Sequence, residues 1–242
     1  MSRQLALPLK VRPALGRGDF FVAPPNAVAV ALIDGWRDWP GGKLLLCGPV
    51  GSGKTHLAHV WSAESFARIV PARRLAQADI PALAQGHVCV EDVQAIAGQP
   101  EAENALFHLH NLVLANGNAL LLTADTPPAQ WPLTLPDLKS RMMGTPLARL
   151  EPPDDELLSV VLAKLFADQQ IVPAANVIPY LVRHMPRSFD MAGRMVAALD
   201  AAALAGSRRI SRDLAREVLA HEEQYVETTV SPLRRSPPGE PA

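Results

Sequence analysis

The chemistry with the most specific sequence signal lies in eight consecutive residues, Gly48-Pro49-Val50-Gly51-Ser52-Gly53-Lys54-Thr55. They match the pattern GxxxxGK[ST] in full, the loop whose backbone N–H groups converge on phosphate oxygens. Its glycines let the main chain fold around the anion, and the helix starting near Lys54 adds the positive end of its dipole. Lys54 is then placed to reach the β- and γ-phosphates and Thr55 to ligate Mg²⁺, with His56 next along the same helix. A second group of reactive type is Glu91-Asp92, directly after the apolar run Val88-Cys89-Val90. The carboxyl end of a parallel strand is where a Mg²⁺-binding acid must sit to face the phosphates. Glu91 is the candidate Mg²⁺ ligand through water, and Asp92 the candidate for orienting an attacking water. Two acids closing an apolar strand also serve as its polar cap, so the pair says less than the loop does.

These residues need a sheet to hold them, and the pattern of apolar runs supplies one. Residues 43–47, 87–90 and 118–123 are short apolar runs suited to strands buried on both faces. Helical periodicity separates them at 55–66 and at 101–115, where Leu106, Leu109, Leu112 and Val113 share a face. A first helix is predicted over 27–39, opened by Pro24-Pro25-Asn26 and stopped by Pro40-Gly41-Gly42. Strands alternating with helices mean βαβ units and a parallel sheet. Beyond Glu151-Pro152-Pro153 only helical patterns remain, over 154–169, 174–184, 188–204 and 211–220. Asp154 and Asp155 suit a helix N-terminus and Ser211 suits an N-cap. The organisation is therefore an arm over 1–19, an α/β domain over 20–151, a small all-helical domain over 152–222 and a proline-rich tail, 223–242, without order.

Composition narrows the function classes. The chain has 242 residues, 48% of them hydrophobic, enough for a real core. With 23 Lys and Arg against 24 Asp and Glu the net charge is −1, which excludes a strong global field for a nucleic-acid backbone. The local cluster Arg208-Arg209-Arg212 permits weak contact with DNA and is equally the solvated face of a helix. Cys47 and Cys89 lie in apolar runs without a CxxC partner and read as reduced, buried thiols. Neither a membrane span nor a signal segment is evident, so the expected location is the cytoplasm. His56, His59, His108 and His110 form no metal-binding pattern, and Trp36, Trp39, Trp61 and Trp131 suit core or interface positions better than base stacking.

With loop, acidic pair and helical C-terminal part in this order, the chain resembles the AAA+ ATPases of the DnaA and Hda group. The resemblance covers about residues 18–220 and rests on four segments. These are Phe20-Phe21-Val22-Ala23-Pro24-Pro25-Asn26, the phosphate loop, Leu121-Leu122-Thr123-Ala124-Asp125-Thr126-Pro127-Pro128, and Leu138-Lys139-Ser140-Arg141 with Leu150-Glu151-Pro152-Pro153 following. It implies a P-loop α/β fold with a five-stranded parallel sheet flanked by helices, followed by a helical lid. It also implies ADP or ATP with Mg²⁺ as cofactors. Pro25 and Asn26 would help enclose the adenine, and Asp125 or Thr123 would fall at the sensor-1 strand end. Arg141 matches the arginine finger, a planar cation that stabilises phosphoryl-transfer charge in a neighbour's site. The chain ends soon after the lid, without the initiator's helix-turn-helix domain, which favours the regulators over the initiators.

The arm points the same way. Gln4-Leu5-Ala6-Leu7-Pro8-Leu9 resembles the sliding-clamp-binding motif at the N-terminus of such regulators. Gln4 can hydrogen-bond at a pocket edge while Leu5, Leu7 and Leu9, with Pro8 keeping the segment extended, fill an apolar groove. An apolar arm packing on its own domain is the competing reading. Implied partners are the β subunit of the clamp and the DnaA initiator, with DNA met indirectly through the clamp and a homodimer left open. Three departures weigh against intrinsic hydrolysis: Glu91 stands where the family has aspartate, Asp137 replaces a second arginine, and Asp190 occupies the expected sensor-2 arginine position. Arg194, one turn beyond Asp190, and Arg187 are the nearest replacements. The resulting expectation is a negative regulator of replication initiation that stimulates hydrolysis of initiator-bound ATP. Its alternative is an active ATPase of clamp-loader or helicase-loader type.

Overall fold

The structure, a computed structural model, describes residues 21–230 and divides the chain into two compact units. The first takes in residues 27–47 and 54–149; the second takes in 23–26, 48–53 and the chain from Leu150 onward.

In the first unit five parallel strands, β1 (Lys43–Cys47), β2 (Arg68–Pro71), β3 (Val88–Glu91), β4 (Leu120–Ala124) and β5 (Leu147–Arg149), form one sheet in the order β2-β3-β4-β1-β5. The central strands are the apolar runs of the sequence: Leu44, Leu45, Leu46, Val88, Cys89, Val90, Leu120, Leu121 and Leu122 are all buried. The two strands that carry no long apolar run are the edges, β2 and β5, and these the sequence reading did not identify. An edge strand is half as enclosed and can end in a residue such as Pro71, which donates no ladder hydrogen bond. In register, Cys47 lies beside Ala124 and Pro71 beside Glu91, so the carboxyl ends of β1, β3 and β4 form one rim.

Helices α1 (Ala27–Asp34), α2 (Lys54–Ser65), α3 (Ile80–Leu83), α4 (Pro100–Ala115) and α5 (Pro136–Met143) accompany the sheet. The expected first helix over 27–39 is corrected: α1 stops at Asp34, and Trp36–Asp38 forms a separate 3₁₀ turn after Gly35. Gly35, a poor helix former, stands at the break, and the aromatic residues beyond it pack together. Trp36 meets Trp61 edge-on at 6.1 Å, Trp39 stacks on Trp61 at 5.3 Å, and the Trp39 indole N–H donates to the α1 carbonyl of Leu32 at 2.7 Å. The four tryptophans are all buried, as core aromatics. Cys47 and Cys89 are buried free thiols, and burial pushes the Cys89 thiol well above its ordinary range.

The second unit contains α6 (Asp155–Asp168), α7 (Val177–His184), α8 (Phe189–Gly206) and α9 (Arg212–Val230). Its own core includes Leu158, Leu162, Phe166, Leu181, Met195 and Leu199. Asp154 caps α6 by accepting from the Leu157 amide at 2.8 Å, and Ser188 caps α8 by accepting from Met191 at 3.2 Å. Helix α7 starts at Val177, later than the expected 174. The expected end at 220 and the expected unstructured stretch from 223 are also corrected, because α9 continues to Val230. Residues 221–230 contain no glycine or proline, and the first breaker is Pro232.

Candidate functional site

Strand β1 ends at Cys47 and the phosphate loop begins at Gly48. Its conformation explains the glycines. Gly51 has φ +77°, and a Cβ there would fall onto the Ser188 hydroxyl. At Gly48 a Cβ would lie 2.5 Å from the Leu150 carbonyl and 2.8 Å from Ser52 Oγ. The Gly51 carbonyl accepts from the Phe189 amide at 2.8 Å, which ties the loop to the first residue of α8. Ser52 Oγ is buried without a hydrogen-bond partner. A loop stripped of side chains at its two tightest points, with an unmatched hydroxyl inside it, fits a nucleoside phosphate.

Lys54 and Thr55 open α2. The Lys54 side chain is only 8% exposed, and its ammonium pairs with Asp125 Oδ1 at 2.7 Å. Asp125 follows β4, and its other oxygen accepts from Gln94 Nε2 at 3.2 Å. Thr55 is exposed, available to a metal ion. At the end of β3, Glu91 Oε1 is buried without a partner, as is Gln94 Oε1. Asp92 adopts a left-handed conformation, φ 57° and ψ 48°, and its amide donates to Thr123 Oγ1 at 3.1 Å. Aspartate tolerates this backbone better than most residues, and the kink turns the chain at the strand end. The rim thus carries two groups, Lys54 and Gln94 on the Asp125 carboxylate and the Asp92 amide on Thr123. Gln94 was not foreseen: a glutamine in a 3₁₀ turn carries no sequence signal until its carboxamide is seen on Asp125.

An acceptor without a donor is what a hydrated cation satisfies, so Glu91 fits a role near Mg²⁺. Among the described residues no three His, Cys, Asp or Glu side chains gather as a metal cage. A Mg²⁺ ion here would therefore draw most of its ligands from nucleotide oxygens and water, with Thr55 and Glu91 adding to them.

The other predicted residues stand in separate groups. Asn26 is buried, and its Oδ1 accepts from the Ala23 amide at 2.9 Å, while the Pro25 carbonyl accepts from Glu151 at 3.2 Å. This pins the segment before α1 by its backbone. Arg194 pairs with Asp190 at 3.3 Å and approaches Glu222 at 4.0 Å, with both arginine and Asp190 largely exposed. Arg187 pairs instead with Asp155 at 2.8 Å. The segment containing Gln4, Leu5, Leu7, Pro8 and Leu9 lies outside the described residues.

Arg141 lies in the last turn of α5 and is exposed. Its carbonyl accepts from Thr145 Oγ1 at 2.9 Å and lies 3.5 Å from Lys43 Nζ. Lys43 opens β1, whereas the phosphate loop leaves the opposite end of that strand after Cys47. The main chain of Arg141 is thus anchored at the amino end of β1, away from the rim where Lys54 and Asp125 meet.

The parallel five-stranded sheet and phosphate loop, together with a helical C-terminal unit, define the AAA+ P-loop fold. The arrangement is similar to domain III of the Thermotoga maritima replication initiation protein DnaA, with TM-score 0.76 and 18% identity, over 87% of this chain and 97% of that one. A replication initiator DnaA bound to AMPPCP and single-stranded DNA matches with TM-score 0.70 and 18% identity, over 92% of this chain and 73% of that one. AMPPCP-bound DnaA from Aquifex aeolicus matches with TM-score 0.68 and 18% identity, over 91% and 72%. No protein-family model matches the chain. Among the described residues no helix is long and apolar enough to cross a membrane.

Proposed function

We propose that this chain is a nucleotide-binding AAA+ regulator that stimulates hydrolysis of ATP held by a DnaA-type initiator, and so restrains replication initiation. Its own loop, Gly48 to Thr55, holds ADP or ATP with Mg²⁺, and that nucleotide serves conformation more than turnover. The phosphate chemistry occurs on the initiator, where Arg141 enters as a finger in trans. The N-terminal segment with Gln4, Leu5, Leu7, Pro8 and Leu9 docks the protein on the β sliding clamp, which brings it to DNA indirectly.

The observation that carries this reading is the placement of Arg141. Its guanidinium makes no hydrogen bond or ion pair with the described residues, and its backbone is fixed at the end of β1 opposite the phosphate loop. A cation arranged in this way serves a phosphate outside its own loop. The AMPPCP seen in DnaA structures of similar fold supports a nucleotide in the loop. By the resemblance, Asp190 stands at the lid position where an arginine would read a γ-phosphate, and a carboxylate at that position favours a diphosphate.

The test is single-turnover hydrolysis of labelled ATP bound to the initiator, with clamp-loaded DNA present. Intact protein stimulates; Arg141→Ala loses about 10³-fold of the stimulated rate while its own nucleotide occupancy and clamp binding persist. Absence of stimulation by intact protein, with clamp binding confirmed, removes this reading. The buried, unmatched Glu91 Oε1 and Gln94 Oε1 favour a second reading, an ATPase that hydrolyses its own nucleotide. That reading requires intrinsic turnover that disappears in Glu91→Gln.

A further inference from the structure

The helix that carries Arg141 is held at its N-terminal end by Glu103 of α4 and at its C-terminal end by Lys43 of β1, which His110 of α4 contacts in turn. At its N-terminal end the buried Glu103 of α4 accepts from the amides of Thr134 at 2.9 Å and Leu135 at 2.8 Å, and from Thr134 Oγ1 at 2.9 Å. The same carboxylate accepts from the Gly98 amide at 2.7 Å. A carboxylate at a helix N-terminus is favoured by the dipole and satisfies donors that have no partner within the helix. Seven residues along α4, on the same face, His110 is 3% exposed. Its Nε2 lies 3.1 Å from Lys43 Nζ, and its Nδ1 lies 3.2 Å from Asn111 Oδ1. An ammonium can only donate, so Nε2 accepts and Nδ1 carries the proton, donating to Asn111. Burial, with the charges of Lys43 and Arg141 nearby, lowers the His110 pKa and keeps the ring neutral.

Lys43 completes the second grip. Its ammonium rests between His110 Nε2 and the Arg141 carbonyl, at the negative end of the α5 dipole. Burial and the charge of Arg141 both lower its pKa. Neither Lys43 nor Arg141 has a carboxylate partner among the described residues. The chain therefore holds two cations together without a counter-ion and stabilises one of them with a neutral ring and a helix end. The arginine side chain has no anchor of its own, so the last turn of α5 must set its direction.

We propose that Lys43, held by His110, is a positioning residue for Arg141: it fixes the last turn of α5 so that the guanidinium points outward to a phosphate on another protein. This rests on the trans role of Arg141 argued above, and its test separates the two. Lys43→Met and Lys43→Arg are compared with Arg141→Ala in the stimulated-hydrolysis assay, with backbone hydrogen exchange measured on the same full-length proteins.

Lys43→Met is expected to exchange faster in residues 141–145. It should also lower the maximal stimulated rate about tenfold, the scale of a misplaced group, while the half-saturating concentration and melting temperature hold. Lys43→Arg, which can donate to the same two acceptors, should restore most of the rate. Unchanged exchange in Lys43→Met overturns the proposal, as does a wild-type rate in Lys43→Met when Arg141→Ala is inert. A loss that Lys43→Arg does not rescue, or one seen only as weaker half-saturation, also overturns it. If Arg141→Ala stimulates as well as wild type, the trans reading itself falls, and the positioning role falls with it.

Discussion

Lys54 and Arg141 are both cations tied to β1, at opposite ends of it and in opposite electrostatic settings. Lys54 is 8% exposed and pairs at 2.7 Å with Asp125, which Gln94 holds from behind. Arg141 is exposed, has no carboxylate partner among the described residues, and has a second cation, Lys43, beside its carbonyl. The difference shows two uses of positive charge. At the rim the protein supplies a counter-ion, which an entering phosphate must displace. At the far end it supplies none among the described residues, which is the setting the proposed encounter with another molecule's phosphate requires. The first arrangement suits a resident nucleotide and the second a transient encounter.

The comparison breaks most sharply at Lys54. Lys54→Ala should lower ADP affinity by about 100-fold or more by calorimetry, since it removes the ammonium proposed to reach the phosphates. It should leave the Arg141 end unaltered in hydrogen exchange; an unchanged affinity would mean that the loop does not hold the phosphates. Glu103→Ala acts at the other end. It deprives buried donors at Gly98, Thr134 and Leu135 of their acceptor, and should cost about 3 kcal/mol in urea unfolding.

The pH dependence of that carboxylate sharpens the point. Burial pushes the Glu103 carboxyl up, but the hydrogen bonds from Leu135, Thr134 and Gly98 outweigh it and hold the pKa below the usual range. A depressed folded pKa contributes stability that is present above the unfolded value, about 4.3, and is lost as pH falls through the folded one. Glu103→Gln should flatten that acid limb of the stability profile; an unchanged limb would assign the acid sensitivity to other groups.

Two smaller effects follow. Asp125→Asn removes the carboxylate charge competing for Lys54, and ADP affinity should rise about tenfold, a shift of about 1.4 kcal/mol. A fall in affinity would show that Asp125 positions Lys54 more than it restrains it. Asp190→Ala breaks a pair in which Asp190 is 62% and Arg194 41% exposed. Such a pair contributes little, so thermal unfolding should move by less than about 1 kcal/mol.

Much of this was legible from residue types. The loop is recognisable because a fixed spacing of glycines, lysine and threonine has one structural solution, and the buried strands β1, β3 and β4 because a strand enclosed on both faces must be apolar throughout. The edges β2 and β5 escaped because their enclosure comes from neighbours, and the length of α1 escaped because apolar spacing runs on past Gly35, where the helix stops. The extent of α9 was underestimated where polar composition hid the absence of any helix breaker. Gln94, Glu103 and Lys43 escaped for another reason: a glutamine, a glutamate and a lysine in ordinary segments acquire roles only through the atoms they meet.

What the sequence determined by itself was local: the phosphate loop, the alternation that makes a parallel sheet, the helix starts at Asp154 and Ser211, and the change to an all-helical second part. These depend on spacing and on conformational preferences within a few residues. Tertiary structure decided which charges are matched and which are left open. It set Asp125 on Lys54, Glu103 at one end of α5 and Lys43 at the other, across separations of 71, 32 and 98 residues. Burial and pairing depend on distance in space, and chain order does not carry that distance.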